Sequence, residues 1–251
     1  MTLRDGAYEG KPYVEGGAGH PAVRLIEPMT ASGELDGAPG DEVVALFAQT
    51  SGGSGEQIYL AVFQLRDAGL VNVATADVGD RVKLRRLSVE GGTAVLDVVQ
   101  TGPGEAMCCG TQLARKTYRL ESGRLQRVAS QVVGRLSLAA ISRLEWVLDE
   151  MNGKPLPLGA QPPTFAVNGD VASGFGGCNR YSGPIKEIAP GKVSLGDLAA
   201  TMMACGDAQM LLEDEYLRSL RQVSAYTFLA GRLALSWEGG GERGLLLLRR
   251  K

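Results

Sequence analysis

The sequence predicts a strand-rich α+β protein in two modules, an antiparallel β-rich domain followed by a β-sheet with one packed helix. Three observations carry this. Short apolar runs alternate with polar residues and are punctuated by Gly (35 residues), Pro and Asp, as half-buried strands require. Several of these runs are joined by hairpin-type turns, which argues for antiparallel neighbours. Only one stretch, near residues 207–223, shows apolar residues at helical spacing. At 251 residues the chain suits two small domains better than one large one. The boundaries read as 1–135, a linker or short helical turn at 136–142 (SLAAISR), and 143–251.

In the first domain the expected strands are 22–26, 41–50, 57–66, 70–76, 81–90, 93–100, 112–120 and 123–130. Val82, Leu84 and Leu87 among Lys83, Arg85 and Arg86 show the alternation. SGGSGE, EGGT and ESGR supply turn chemistry. ELDGAPGDE (34–42) has the look of an acidic calcium loop. Its Asp36, Asp41 and Glu42 are too few and too irregularly spaced for an EF-hand, so it reads as a turn before a strand. TSGGSGE (50–56) lacks the Lys of a phosphate-binding loop and reads as a hairpin.

The net charge of −2 excludes an electrostatic nucleic-acid binder or membrane binder. No window reaches the roughly 18 apolar residues of a membrane span. The start, MTLRDGAYEG, has no basic head followed by an apolar core, a pattern shared by a cytosolic protein and by a secreted one without its leader. The one histidine, His20, lies in GGAGHPAV and reads as a loop residue, so a histidine-based triad or zinc site has little to draw on. Neither a metal site nor a cofactor is expected. Cys108 and Cys109 are adjacent, without the CxxC spacing of a metal site or a nearby base. They read as structural or oxidised, with their pairing open.

The second domain opens with Leu144, Trp146 and Leu148 alternating along a strand, then the turn Asn152-Gly153. Strands are expected in PPTFAV (162–167) and VASGFGG (171–177), where Gly174, Gly176 and Gly177 permit a bulge or a close backbone approach. A helix follows with Asp207 as N-cap, an apolar stripe of Leu212, Tyr216, Leu217, Leu220 and Val223, an exposed Asp214–Arg218 pair, and Arg221 near its C-terminal end. Two or three strands around the turns AG and EGGGERG close the chain.

LEWVLDEMNGKPL, GGCNRYSG, LAATMMAC and the helix EDEYLRSLRQVSAY, in this order, resemble the META domain, or HslJ-like, family over about residues 143–250. GCNRYSG (177–183) and TMMAC (201–205) sit where that family has them. The resemblance implies a compact α+β fold in secreted, periplasmic or lipoprotein-type envelope proteins. It also implies links to bacterial heat shock and antibiotic tolerance and to virulence in a protozoan relative, without an agreed biochemical activity. The first half is loosely similar to uncharacterised β-rich modules of bacterial envelope proteins and lends no residues.

The oxidising compartment that the resemblance implies makes a Cys178–Cys205 disulfide the natural inference, with two buried reduced thiols as the alternative. Asn179 suits cap or turn chemistry, and Arg180 and Tyr181 point to opposite sides if the strand continues. Asn179, Arg180, Tyr181 and Ser182 are therefore either a small binding surface or a fold signature that holds a bend. No acid/base pair converges on them, so no catalytic residue is expected. The functional expectation is a non-enzymatic envelope protein, stress- or envelope-related, that binds another protein or an envelope component. A thiol redox or metal-handling protein using Cys108 and Cys109, and a hydrolase inhibitor, are the alternatives.

Overall fold

The computed structural model describes residues 2–17, 19–66, 69–239 and 241–251. The chain divides into two compact units, Met1–Gly134 and Arg135–Lys251. In the first, β1 (Ala7–Glu9), β2 (Ala22–Gly33), β3 (Glu42–Thr50), β4 (Gln57–Arg66) and β5 (Gly69–Asp80) form one antiparallel sheet in chain order. A second sheet follows, β6 (Lys83–Glu90), β7 (Thr93–Gln100), β8 (Gln112–Glu121) and β9 (Arg124–Arg135), also in chain order. The EGGT and ESGR segments make hairpins because Gly91-Gly92 and Ser122-Gly123 adopt positive φ at both central positions.

Alternation works as expected in the core strands. Val44, Leu46 and Ala48 of β3 and Ile58, Leu60 and Val62 of β4 are buried on one face. In β6 a register shift between Leu84 and Arg86 places Leu84 opposite Val98 and Leu87 opposite Leu96. That bulge keeps both leucines on one face despite their odd spacing. Strand β2 runs seven residues beyond the expected 22–26. Its pairing with β3 shifts between Leu25 and Thr30, so Pro28 sits at an irregularity where the ladder needs no N–H. On β8, Lys116 lies between buried Ala114 and Tyr118 and donates to the Val78 carbonyl at 2.7 Å, while Tyr118 Oη donates to the Asp77 carbonyl at 3.3 Å. These two bonds tie the second sheet to the end of β5. Burial pushes the Lys116 ammonium below its ordinary pKa.

The second unit contains β10 (Glu145–Met151), β11 (Lys154–Pro155), β12 (Thr164–Asn168), β13 (Val171–Phe175), β14 (Arg180–Ala189), β15 (Lys192–Leu195), β16 (Ala199–Ala200), helix α1 (Asp207–Gln222), β17 (Ala225–Leu229), β18 (Arg232–Gly239) and β19 (Glu242–Arg250). Asn152-Gly153 and Ala230-Gly231 turn with positive φ at both residues. The strands pair in the order β11-β10-β12-β13-β14-β15-β17-β18-β19, with β16 added to β14. Strand β19 also pairs with β10, so the sheet closes on itself. Closure removes the edges of β10 and β19 and lets Trp146, Phe165, Val167, Ala172, Leu233 and Leu248 share one interior.

Segment 136–142 groups with the second unit and takes the form of a short helical turn. It forms a 3-10 turn at Leu138–Ala140, its Leu136 and Ile141 are buried, and the Ile141 carbonyl accepts the Trp146 indole N–H at 3.1 Å. One expectation is corrected: the helix N-cap is Gly206, without a side-chain cap bond, and Asp207 is the first helical residue. The apolar stripe is as expected, and Asp214 and Arg218 form an exposed ion pair. Of the closing turn EGGGERG, Gly240 lies outside the described residues.

Candidate functional site

The chain from β13 to α1 is built around one carboxylate. Glu213 lies on the buried side of α1 and accepts the backbone N–H of Cys178 at 3.0 Å, the backbone N–H of Asn179, and the Asn179 side-chain amide at 2.8 Å. Burial pulls its pKa upward, but the two Asn179 bonds and the Cys178 N–H outweigh burial and hold it below the ordinary value. The helix can come this close because residue 176 is glycine. A Cβ there would lie 2.7 Å from Glu213 Oε2 and 2.9 Å from its Cγ.

Asn179 passes the connection on. Its Oδ1 accepts Thr201 Oγ1–H at 2.9 Å and Met203 N–H at 2.7 Å, and its Nδ2 also donates to the Met203 carbonyl at 3.3 Å. The loop before the helix is thus held by one amide. Beside it Cys178 and Cys205 are disulfide-bonded, 27 positions apart with Cα atoms 6.0 Å apart. Met202 is left fully exposed at the loop's tip.

The four candidate binding residues divide by strand alternation. Asn179 and Tyr181 are buried, while Arg180 and Ser182 are exposed. Tyr181 packs edge-on against Tyr216 of the helix, with ring centroids 5.9 Å apart and hydroxyls 2.9 Å apart. Both hydroxyls reach the Thr164 carbonyl, at 2.8 and 3.1 Å. Burial raises both phenol pKa values, so the pair stays neutral and serves as a hydrogen-bonded clamp. Gly174 leaves room for the Thr164 carbonyl, which a Cβ at that position would strike.

The outward face carries an open groove of about 780 Å³. Its floor is a row of small side chains across four strands, closed at one end by Glu145 on a fifth. Glu145 stands opposite Ala166, Ala166 opposite Ser173, Ser173 opposite Ser182, and Ser182 opposite Ala199. Arg143, Asn168, Arg180 and Thr201 also line it. Arg180, Tyr181 and Ser182 reach this groove, whereas Asn179 supports it from below. Glu145, the single carboxylate in the lining, is paired with Lys251 at 2.7 Å.

The family model of the META domain matches residues 139–250. The second half of the chain is a META domain. Two solved NMR structures are similar to this chain. One is of a protein from Burkholderia xenovorans, with 27% identity and a TM-score of 0.38, over 50% of this chain and 97% of that one. The other has 24% identity and a TM-score of 0.36, over 45% of this chain and 94% of that one. No curated protein matches the chain.

Within the META domain, sequence reasoning missed Glu213. The available signal was its spacing. Positions 213, 217 and 220 share a helix face with Leu217 and Leu220, so a carboxylate stood inside an apolar stripe and needed donors. Outside the META domain, Cys108 and Cys109 are bonded to each other. His20 lies in an irregular segment before β2, where Ala18 is outside the described residues. The acidic loop brings together carboxylate oxygens of Glu34, Asp36 and Glu42 within 4.8 Å, without Asp41. Backbone N–H groups of residues 35–38 and the Gln64 amide bond these carboxylates. Among the described residues no helix is long and apolar enough to cross a membrane, which says nothing of strands.

Proposed function

We propose that this protein is a non-enzymatic binding protein of the bacterial envelope, and that the outward groove of its META domain receives a negatively charged envelope component. The observation that carries this is the groove's composition. Arg143 and Arg180 supply two cations beside the hydroxyls of Ser173 and Ser182, and the one carboxylate is already ion-paired. Guanidinium groups and hydroxyls over a flat floor suit recognition of carboxylate or phosphate groups. A lone ion-paired carboxylate is poorly placed for acid/base chemistry, which favours binding over turnover. The disulfide of the META domain suits an oxidising compartment.

The test is an NMR titration of the protein with inorganic phosphate and with a carboxylated oligosaccharide. Shifts should cluster at Arg143, Ser173, Arg180, Ser182 and Thr201, and the Arg143→Ala/Arg180→Ala variant should lose them. Shifts spread evenly over the surface, or unchanged in that variant, would remove the groove from consideration. Substrate turnover abolished by Arg180→Ala would overturn the non-enzymatic reading, and fractionation of the native host tests the envelope location.

A further inference from the structure

We propose that Cys108–Cys109 is a reversible redox site, opened and closed by exchange with small thiols, and independent of the groove and of the bridge in the META domain. The two cysteines sit in the connection between β7 and β8, both exposed and next to half-exposed Met107. Three features distinguish this bridge from one that holds a fold.

First, it encloses no chain. Disulfides stabilise largely by restricting the unfolded ensemble, by an amount that grows with the length of the closed loop. Cys178 and Cys205 are 27 positions apart, whereas Cys108 and Cys109 are one apart. The adjacent bridge has no loop to restrict.

Second, neighbours cannot reach the ordinary span. One peptide bond fixes their Cα atoms 3.8 Å apart, against 6.0 Å for the other bridge. Relaxed disulfides span roughly 4.4–6.8 Å, and departures from that range make the bond easier to reduce. Exposure of both cysteines adds access for an attacking thiolate, whereas in the other bridge Cys178 is 2% exposed and Cys205 is only partly exposed.

Third, the connection keeps its shape without the sulfurs. Glu105 Oε2 accepts the N–H of Gly102 at 2.8 Å and of Thr111 at 2.9 Å, and Oε1 accepts the Thr111 hydroxyl. Gln100 and Gln112 pair through their side chains at 2.8 Å. Gly110 is packed so closely on Gln100 that a Cβ would lie 2.5 Å from its carbonyl. A base this well held presents the bridge at its tip and does not depend on it.

The chemistry is a two-electron exchange. The thiolate of a small thiol attacks one sulfur, the Cys108–Cys109 bond breaks, and the released cysteine leaves as a thiolate and takes a proton. A second thiol attacks the mixed disulfide, freeing the other cysteine and releasing the oxidised disulfide of the reductant. Two thiols are oxidised and one protein disulfide is reduced. The disulfide form of the same thiol reverses the sequence.

The test places the full chain in glutathione buffers of graded ratio, quenches with acid, and maps each cysteine by differential alkylation and mass spectrometry, with circular dichroism alongside. Cys108–Cys109 should be half reduced at a ratio of reduced to oxidised glutathione at least tenfold lower than Cys178–Cys205, with an unchanged spectrum, and should re-form on return to oxidised glutathione. Three outcomes would overturn the proposal: reduction of both bridges together or of Cys178–Cys205 first, loss of structure coincident with opening of Cys108–Cys109, or a pair that does not close again.

Discussion

The two cysteine-bearing loops of this protein use the same device for opposite ends. In each, one glutamate gathers backbone donors and so fixes the loop. Glu213 reaches from a helix to a turn 34 and 35 positions away, locking Cys178 and Asn179 where the helix must dock. Glu105 acts within its own connection and binds Gly102 and Thr111 on either side of the exposed cysteines. The first arrangement is long-range, buried and cross-linked by a bridge that closes a loop. The second is local and exposed, and its bridge closes nothing. A carboxylate that accepts several N–H groups can therefore either join distant segments or complete one loop, and sequence separation decides which.

The largest effect that sharpens this contrast is expected from Glu213→Ala. The substitution leaves the N–H groups of Cys178 and Asn179 and the Asn179 amide short of an acceptor in a buried place. At about 1–3 kcal/mol per orphaned buried group, and with partial relaxation, the META domain should lose about 3–4 kcal/mol in urea unfolding. A loss under about 1 kcal/mol would show that the hub is dispensable. The pH dependence follows from the same bonds. The folded pKa of Glu213 lies below its ordinary 4.5, so the stabilisation it supplies is complete above pH 4.5 and is lost as pH falls through the lowered value. Glu213→Gln stays neutral throughout, so the stability gap between wild type and this variant should be constant above pH 5 and shrink with acidification below pH 4.5. A gap that widened on acidification would contradict the charge assignment.

Cys178→Ser/Cys205→Ser comes next. A loop of 27 positions corresponds to about 3.5 kcal/mol in the chain-entropy account, which engineered bridges often fall short of. Because Asn179 still holds Met203 and Thr201 from the same side, folding should survive with a lowered urea midpoint. Complete loss of folding would mean that the bridge, not the Glu213–Asn179 network, is the primary tie.

Much of this frame is legible in the sequence, for physical reasons that differ by element. Asn152-Gly153, Gly91-Gly92 and Ser122-Gly123 announce hairpins because their residues tolerate positive φ, a local property. The stripe from Leu212 to Leu220 announces the helix because burial repeats at the helical period. The glycines at 174 and 176 announce close approach, though not what approaches. What approaches is the Thr164 carbonyl and the Glu213 carboxylate, and such partners come from chain folding. Closure of β19 onto β10 is equally silent, since a strand carries no mark of its second neighbour. Strand β14 escapes an alternation reading because it is solvent-facing over most of its length, with Tyr181 and Ile185 its buried side chains. Segment 136–142 reads as a linker or a short turn, and its small residues hide two anchors, Leu136 and Ile141. The division of the NRYS residues into buried and exposed pairs follows from alternation once the strand is known, whereas the groove itself needs five strands in register.

The smallest expected effect is the one that most directly opposes the two loops. Cys108→Ser/Cys109→Ser removes a bridge as covalent as the other, at exposed positions, and leaves Glu105 its donors from Gly102 and Thr111. With no closed loop to release and no buried surface to expose, the stability of the first unit should change by under about 0.5 kcal/mol, the usual range for surface substitutions. The measurement is urea unfolding followed by circular dichroism in parallel with the Cys178→Ser/Cys205→Ser protein. A loss as large as that of the other bridge would mean that the vicinal pair constrains the β7–β8 connection in the native state, and the distinction drawn from sequence separation would fail. A change near zero would leave the loop organised by Glu105, the Gln100–Gln112 pair and the Gly110 packing, and free the vicinal pair for chemistry.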